Sequence, residues 1–320
     1  MKALITDQVH PVLLERLQAA GIACQVDTDC TYESLIDEVQ GYDALVVRSK
    51  VFIDRHFIDH ARSLRCIGRV GAGMETIDVE YAERQGIRCL NSPEGNRDAV
   101  GEHAVGLLLA LMDRINVADS EVRQGLWRRE ANRGMEIKGR TVGIIGCGNM
   151  GSAFAQRLRG FECRVVAYDK YKSAGYAPDG VEEVSLEELQ RRADIVSLHV
   201  PLTDETHYMV DGPFLEAFAK PFLLLNTSRG AVVKTADLVA AMEKGRVLGA
   251  ALDVMEYEDM SRDGLDVSAL PEPLRYLLAS PRTVLTPHVA GWTQESKYKL
   301  AAVLADKIIA TLKGDCHADS

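Results

Sequence analysis

The sequence predicts an α/β protein with two doubly wound domains, each built on a parallel sheet. Short apolar strands alternate with helix-length segments along the chain, and this alternation is typical of parallel β-α-β units. The chain has 320 residues, more than one hydrophobic core usually organises, so two domains with a cleft between them are expected. One long segment of helical periodicity separates the two alternating series.

The first alternating series occupies the amino-terminal part of the chain and ends near residues 91–93. Its expected strands cover residues 3–6, 23–26, 44–47, 64–70 and 87–90, and its expected helices cover residues 12–20 and 32–40. Residues 98–122 then carry Ala, Leu and Met at helical spacing, which predicts one long helix. We interpret this helix as a spacer between the domains and as a candidate dimer contact.

The second alternating series begins at Thr141. Its expected strands cover residues 141–145, 164–168, 195–199, 222–226, 247–251 and 284–286. Six strands separated by helix-length intervals predict a doubly wound sheet. The last helix, residues 293–312, follows the final strand, and we expect it to return to the first domain. The predicted domains are therefore residues 1–97 with 288–320, and residues 98–287.

Composition excludes several classes of protein. The formal net charge of −10 argues against nucleic acid as a general partner, because a phosphate backbone is bound by clustered Lys and Arg. The longest apolar run, residues 104–112, is too short to span a bilayer, and no signal-peptide pattern opens the chain. We expect a cytoplasmic protein without a membrane partner. The seven cysteines, at positions 24, 30, 66, 89, 147, 163 and 316, form no C-x-x-C pair, which favours reduced thiols over disulfides or a metal site.

A glycine-rich turn follows the strand 141–145. The segment Gly146-Cys147-Gly148-Asn149-Met150-Gly151 matches G-x-G-x-x-G and opens a helix expected to reach residue 159. Gly146 permits the tight turn, Gly148 lets the backbone approach a diphosphate, and Gly151 lets helix and strand pack closely. The turn therefore predicts a dinucleotide site, where a thiol reagent at Cys147 would block cofactor access.

Asp169 ends the next strand, about twenty residues beyond the glycines, where the fingerprint requires an acid. A carboxylate at this position accepts hydrogen bonds from the adenosine ribose and repels a 2′-phosphate, so it favours NAD. The neighbouring Lys170 and Lys172 keep NADP open as the alternative.

Three charged residues follow later strands of the second series. Arg229 comes after the strand 222–226, Glu258 after 247–251, and His288 after 284–286. Each alone could be structural: an arginine capping a turn, a solvated acid, a satisfied histidine. Doubly wound sheets bind ligands at the carboxyl ends of their strands, so the three together predict a catalytic cleft.

These motifs resemble the D-isomer-specific 2-hydroxyacid dehydrogenases over essentially the whole chain. The matching segments are 71–73, 146–151, 199–202, 226–230, 252–254 and 286–288. The resemblance implies a flavodoxin-like substrate domain made from both chain ends, around an inserted Rossmann-like domain that binds NAD. It also implies a homodimer formed through the NAD-binding domain.

The resemblance implies a role for each charged residue. His288 would be the general acid or base, since imidazole titrates near neutral pH. Glu258, five residues after Asp253, would pair with His288, and this spacing favours it over Glu256. Arg229 would orient the substrate carboxylate and polarise the carbonyl. Further cofactor contacts are implied for Asn149, Met150, His199, Val200, Pro201, Thr206, Thr227, Ser228, Arg229, His288 and Gly291, with Asp253 on the nicotinamide amide.

Several arginines suggest an anionic substrate. The family branch that acts on 3-phosphoglycerate places arginines around the phosphate, and Arg48 with Ser49, Arg69 and Arg129 match those positions. Residues 122–140 contain six basic and two acidic side chains, which fits an anion. The carboxylate would be held by the amides of a backbone nest formed by Val70, Gly71, Ala72 and Gly73.

The resemblance leaves alternatives for the substrate and the class of function. Trp292 stands where phosphoglycerate enzymes usually have a small residue, and Asp259, with an acidic 260–280 segment, follows Glu258 in place of proline. We expect 3-phosphoglycerate, with a glyoxylate, hydroxypyruvate or D-lactate type reductase as the alternative. A non-enzymatic NADH-sensing corepressor is the alternative of another class. Since the chain stops soon after its last helix, no carboxyl-terminal regulatory domain is expected.

Overall fold

The structure is a computed structural model that describes residues 1–258 and 267–314. The chain divides into two compact units. The split unit contains Met1–Arg97 and the segment that starts at Trp292, and the inserted unit contains Asp98–Gly291. No helix in the described ranges is both long and apolar enough to cross a membrane.

The split unit is built on a five-stranded parallel sheet. Its strands have the order β2-β1-β3-β4-β5, which is the flavodoxin-like order. The short helices α3 and α4 escaped the sequence analysis because six residues show no clear period. The elements are β1 (Lys2–Ile5), α1 (Val12–Ala19), β2 (Ala23–Val26), α2 (Tyr32–Glu38), β3 (Ala44–Val47), α3 (Arg55–His60), β4 (Cys66–Arg69), α4 (Val79–Arg84) and β5 (Arg88–Leu90).

The inserted unit is built on a seven-stranded parallel sheet of order β12-β11-β10-β9-β6-β7-β8, which is the Rossmann order with one further strand. The sequence predicted six strands and missed β8, a short polar strand that pairs with β7 at the edge of the sheet. The elements are α5 (Arg97–Met112), α6 (Ile115–Arg123), β6 (Thr141–Ile145), α7 (Asn149–Arg157), β7 (Arg164–Tyr168), β8 (Val181–Glu183), α8 (Leu186–Arg192), β9 (Ile195–Leu198), α9 (Gly212–Glu216), β10 (Phe222–Asn226), α10 (Thr235–Glu243), β11 (Val247–Leu252), α11 (Glu272–Ala279) and β12 (Thr283–Leu285).

The last helix, α12 (Gln294–Lys313), returns to the split unit, as expected. Its residues Ala301, Leu304 and Ile308 are buried in one cluster with Ile5 and Leu13 of that unit. Gly95 lies so close to this helix that a Cβ would meet the backbone nitrogen of Leu300 at 2.5 Å. Helix α12 therefore completes the core on one face of the five-stranded sheet.

The prediction of a single helix over residues 98–122 is wrong, because the segment forms two helices. Helix α5 ends at Met112 and α6 begins at Ile115, with Arg114 between them in the left-handed region at φ 55°. The amide of Met135 donates to the carbonyl of Met112 at 3.0 Å. A segment distant in sequence thus satisfies an end carbonyl of α5, and local periodicity cannot reveal this contact.

Residues 288–291, expected in the split unit, group with the inserted unit. The amide of His288 donates to the carbonyl of Asp253 at 2.8 Å. The amides of Val289 and Ala290 donate to the Asp253 carboxylate, each at 2.9 Å. One side chain at the end of β11 therefore fixes this segment to the inserted unit.

Candidate active site

The glycine turn has the geometry that its sequence predicts. Gly146 has φ 87°, which favours glycine. A Cβ at Gly151 would lie 2.1 Å from the carbonyl oxygen of Gly146, so only glycine allows this approach of helix to strand. A Cβ at Gly148 would meet no described protein atom. The glycine turn and the amino end of α7, which begins with Asn149 and Met150, therefore leave room for a diphosphate to approach their backbone amides.

Asp169 follows β7 and lies against the glycine turn. Its carboxylate accepts hydrogen bonds from the amide of Cys147 at 3.0 Å and from the amide of Tyr171 at 3.1 Å. Lys170 forms an ion pair with Glu205, and Lys172 donates to the Cys147 carbonyl at 2.8 Å. Both lysines therefore have protein partners, and the acid is oriented by the turn that it flanks.

Cys147 does not present its thiol to the surface. Its side chain is fully buried, and burial raises the pKa of the thiol. Since the thiolate is the reactive form, this cysteine is poorly suited to attack a reagent. The expectation that a thiol reagent at Cys147 would block the cofactor site is therefore not supported by its environment.

The polar side chains of the segment that ends β9 and follows it make contacts within the protein. The His199 ring contacts Phe154 with centroids 5.6 Å apart, its Nε2 lies 2.8 Å from Ser197 Oγ, and its Nδ1 is buried without a partner among the described residues. Burial lowers the pKa of His199 to about 4, so the ring is neutral near pH 7. Thr206 donates to the carbonyl of Pro201 at 2.6 Å. The backbone around Val200 and Pro201 remains the part of this segment that can face a nucleotide.

The turn after β10 positions Arg229. The buried Asn226 side chain accepts hydrogen bonds from the amide and hydroxyl of Ser228 and donates to the Arg229 carbonyl at 2.9 Å. Gly230 packs against the segment after β11, where a Cβ would lie 2.0 Å from the Met255 carbonyl. The Thr227 hydroxyl is buried and has no partner within the described ranges, so it can accept a cofactor contact. Asn226 is a positioning residue that the sequence analysis missed.

His288 and Glu258 are in contact. His288 Nδ1 lies 3.1 Å from Glu258 Oε1, and both side chains are about three-quarters buried. Glu256 has other partners, since it accepts hydrogen bonds from the hydroxyl of Tyr208 at 2.5 Å and from the amide of Thr235 at 2.8 Å. His288 itself has φ 55°, a backbone conformation that L residues adopt rarely. The acid facing the histidine is thus Glu258.

Asp253 organises the loop that carries His288. Besides the amides of Val289 and Ala290, its carboxylate accepts a hydrogen bond from Thr286 Oγ1 at 2.6 Å and lies 3.4 Å from His103 Nε2. Burial alone would raise the pKa of Asp253, but these hydrogen bonds outweigh it and hold the pKa below its usual value. The sequence analysis gave Asp253 a cofactor contact only and missed His103, which is distant in sequence.

Asp253→Asn is expected to destabilise the protein by about 3 kcal/mol at neutral pH, because the amide would turn an NH₂ group toward hydrogen-bond donors. A carboxylate with a lowered pKa stabilises the fold fully above the ordinary aspartate pKa of about 4, and this contribution fades as the pH falls toward the lower folded-state value. Urea unfolding of both proteins near pH 7 and near pH 3.5 measures the difference. A gap that fails to narrow at the acidic pH would contradict this account.

The split unit brings together the two arginines that follow β3 and end β4. Arg69 Nε donates to the carbonyl of Arg48 at 3.1 Å, and the Arg69 guanidinium lies against Gly71, where a Cβ would meet it at 2.3 Å. The amide of Val70 donates to the Val47 carbonyl, so its expected role in the nest is wrong.

Three amides of the nest remain available. Those of Gly71, Ala72 and Gly73 donate to no acceptor in the part of the chain that the structure describes. The Asn91 side chain donates to the Ala72 carbonyl at 2.7 Å and fixes this loop. The split unit therefore combines two guanidinium groups with an ordered group of backbone donors, which suits an oxyanion.

Arg129 lies in the inserted unit on an exposed segment. Four of the other basic residues in the 122–140 range form ion pairs with Asp119, Glu121, Glu130 and Glu162. Arg129 has no ion pair among the described residues. The local excess of positive charge is therefore partly neutralised, and Arg129 and Arg140 are the two cations of this segment without an ion pair among the described residues.

Comparisons with known proteins identify the family of this chain. Residues 105–290 match the family model for the D-isomer specific 2-hydroxyacid dehydrogenase, NAD binding domain. A D-3-phosphoglycerate dehydrogenase of Archaeoglobus fulgidus is 35% identical over 98% of this chain and 58% of its own length. A glyoxylate reductase of Thermofilum pendens is 36% identical over 88% of this chain and 82% of its own length. The crystal structure of a glyoxylate reductase from Paecilomyes thermophila has a TM-score of 0.85 at 25% identity, covering 98% of this chain and 96% of that chain.

The chain spans little more than half the length of the phosphoglycerate dehydrogenase that it matches, and most of the glyoxylate reductase. The family model covers more than half of this chain and includes the glycine turn, Arg229, Glu258 and His288. The predicted fold class, the family resemblance and NAD as the cofactor are thereby confirmed. The chain belongs to the D-isomer specific 2-hydroxyacid dehydrogenase family, and its residues 105–290 match the NAD-binding domain of that family.

Proposed function

We propose that this protein is an NAD-dependent oxidoreductase that interconverts a D-2-hydroxy acid and its 2-oxo acid. The observation that carries the proposal is the contact of His288 Nδ1 with Glu258 Oε1, at 3.1 Å, in a unit that also holds a dinucleotide turn. NAD supplies the chemistry of hydride acceptance and donation. The protein's own task is then to move one proton and to hold the substrate anion.

His288 moves the proton. Its Nδ1 faces Glu258, so Nε2 is the nitrogen that takes the hydroxyl proton in oxidation and returns it to the oxo oxygen in reduction. The carboxylate of Glu258 stabilises the imidazolium that results. Arg229 holds the carboxylate of the substrate and stabilises charge on the oxygen at C2.

Glu258→Gln is expected to move the acid limb of the kcat profile in the oxidation direction to lower pH, because the imidazolium loses its anionic partner and releases its proton more easily. The profile is measured with saturating substrate between about pH 5 and pH 10. Glu256→Gln is the matched control, since Glu256 bonds Tyr208 and Thr235 instead. A shift of the profile in Glu256→Gln, with none in Glu258→Gln, would show that Glu258 is not the acid that acts on His288.

We propose 3-phosphoglycerate as the substrate, on the charge of the split unit. Arg48 and the three open amides of Gly71, Ala72 and Gly73 offer more oxyanion contacts than one carboxylate requires. The relatives named phosphoglycerate dehydrogenases support this choice. Reduction of glyoxylate is the second candidate. It is favoured by two glyoxylate reductases, because this chain matches most of the length of each.

A substrate panel tests this proposal. NADH oxidation, with NADPH in parallel, is followed against phosphohydroxypyruvate, hydroxypyruvate, glyoxylate, pyruvate and 2-oxoglutarate. We expect the highest kcat/KM with phosphohydroxypyruvate and NADH. A higher kcat/KM with glyoxylate would replace the substrate and keep the chemistry. Absence of turnover with any of them, together with tight NADH binding, would favour an NADH-sensing protein.

We also propose that the protein is a homodimer formed through the inserted unit. Helix α6 buries none of its side chains, and Ile115, Val122 and Trp127 are exposed near each other in sequence. Such an apolar surface is typical of a protein interface. Ile115→Glu with Val122→Glu is expected to halve the mass measured by light scattering. An unchanged mass of two chains would place the interface elsewhere.

A further inference from the structure

Trp292 and Arg48 form a cation–π pair in the split unit. The Arg48 guanidinium carbon lies 4.8 Å from the centroid of the indole ring, within the range of a cation–π interaction. The indole is 68% exposed, so burial of its own apolar surface does not explain its position. The contact with Arg48 is therefore the described interaction that involves this ring.

The Arg48 guanidinium has no hydrogen bond or ion pair among the described residues. Its backbone amide donates to Asp7 Oδ2 at 2.8 Å, and its carbonyl accepts from Arg69, so the backbone at this position is fixed on both sides. The nearby carboxylate of Asp7 is thus occupied by the backbone. The cation itself has no carboxylate partner among residues 1–258 and 267–314.

A guanidinium held over an aromatic ring is shielded by that ring on one side. Its face is covered, so a partner can approach at the edge, where two parallel N–H groups match a carboxylate or phosphate. The indole also restricts the rotamers of a long side chain, which lowers the entropy lost on binding. A small residue at this position would leave the arginine free to rotate.

We propose that Trp292 is a positioning and specificity-determining residue that holds Arg48 as a preformed receptor for an oxyanion of the substrate. This inference rests on the proposed function and adds a residue to it. Trp292 acts through Arg48 and makes no chemical step itself. The oxyanion is either the phosphate or the carboxylate, and both have the same fork-shaped complement.

Kinetics of a double-mutant cycle test the coupling. Trp292→Leu is expected to raise KM for phosphohydroxypyruvate by about 3- to 10-fold with a much smaller change in kcat, and Trp292→Phe by less, because Phe retains a weaker cation–π surface. In an Arg48→Met background, Trp292→Leu should change KM no further. An equal effect in both backgrounds, or a wild-type KM in Trp292→Leu, would overturn the inference.

The choice of substrate identifies the oxyanion. A rise of KM in Trp292→Leu with phosphohydroxypyruvate but not with glyoxylate assigns the pair to the phosphate. A rise with both assigns it to the carboxylate that the two substrates share. A rise with neither overturns the inference.

Fluorescence separates this inference from the proposed activity. The chain has two tryptophans, and Trp127→Phe leaves Trp292 as the sole indole emitter. Inorganic phosphate and oxalate, added at constant ionic strength, are expected to change this emission, and Arg48→Met should abolish the change. A response without turnover on any substrate would reject the proposed activity and keep the anion receptor. No response in either anion would overturn the receptor even if the enzyme is active.

Discussion

Replacing His288 by asparagine is expected to lower kcat by about 10²- to 10⁴-fold, the usual contribution of general acid–base catalysis. Asparagine is the sharper substitution because position 288 has φ 55°, and asparagine tolerates this conformation better than alanine. The loss then reports the missing proton carrier and not a rearranged loop. Steady-state rates in both directions measure it.

The control for this prediction is cofactor affinity. NADH binding, followed by its fluorescence, should stay within about twofold of wild type, since the substitution leaves the glycine turn that holds the diphosphate unchanged. His288→Ala measured beside His288→Asn gives the added effect of the backbone conformation. An asparagine variant with kcat within threefold of wild type would remove His288 from the proton transfer.

Replacing Arg229 by methionine is expected to lower kcat/KM by about 10²- to 10³-fold, comparable to the loss of one preorganised donor to a developing oxyanion. Lysine at the same position keeps the charge but lacks the planar fork, so Arg229→Lys should recover only part of the loss. The two variants separate charge from geometry. Steady-state kinetics on the best substrate of the panel measure both.

The control for Arg229 is the turn that holds it. The turn is fixed by Asn226 and by the close packing of Gly230 on Met255, and the guanidinium adds one hydrogen bond, from Arg229 Nη1 to the Ser228 carbonyl at 2.7 Å. Unfolding midpoints of the methionine and lysine variants should therefore match wild type within a few degrees. A methionine variant with kcat/KM within tenfold of wild type would contradict the role of Arg229 in holding the substrate.

Features that follow from local chemistry could be predicted from the sequence. The glycine turn is one example, because φ at Gly146 and the contact between Gly151 and Gly146 are properties of neighbouring residues. The strands of the inserted unit are another, since 141–145, 164–168 and 222–226 are apolar runs with clear limits. Such patterns reflect burial on both faces of a parallel sheet.

Features that depend on distant contacts could not be predicted. The break after Met112 depends on the Met135 amide, and the place of His103 depends on the fold that brings it to Asp253 and Thr286. The sequence analysis placed the amide of Val70 in the anion-binding nest, but in the structure this amide donates to the Val47 carbonyl. The family motifs identified the residues of the site. The hydrogen bonds of the structure are needed to distinguish the residues that position the site from the residues that remain available to a ligand.

The most direct test of the central assignment is the stereochemistry of the reduced product. Purified protein and NADH are incubated with phosphohydroxypyruvate or hydroxypyruvate, whichever is turned over faster, and the chiral hydroxy acid that forms is separated on a chiral column. We expect the D enantiomer, formed in a one-to-one ratio with the NADH consumed. Formation of the L enantiomer, or NADH binding without consumption on every 2-oxo acid, would contradict the assignment of this site to D-2-hydroxy acid chemistry.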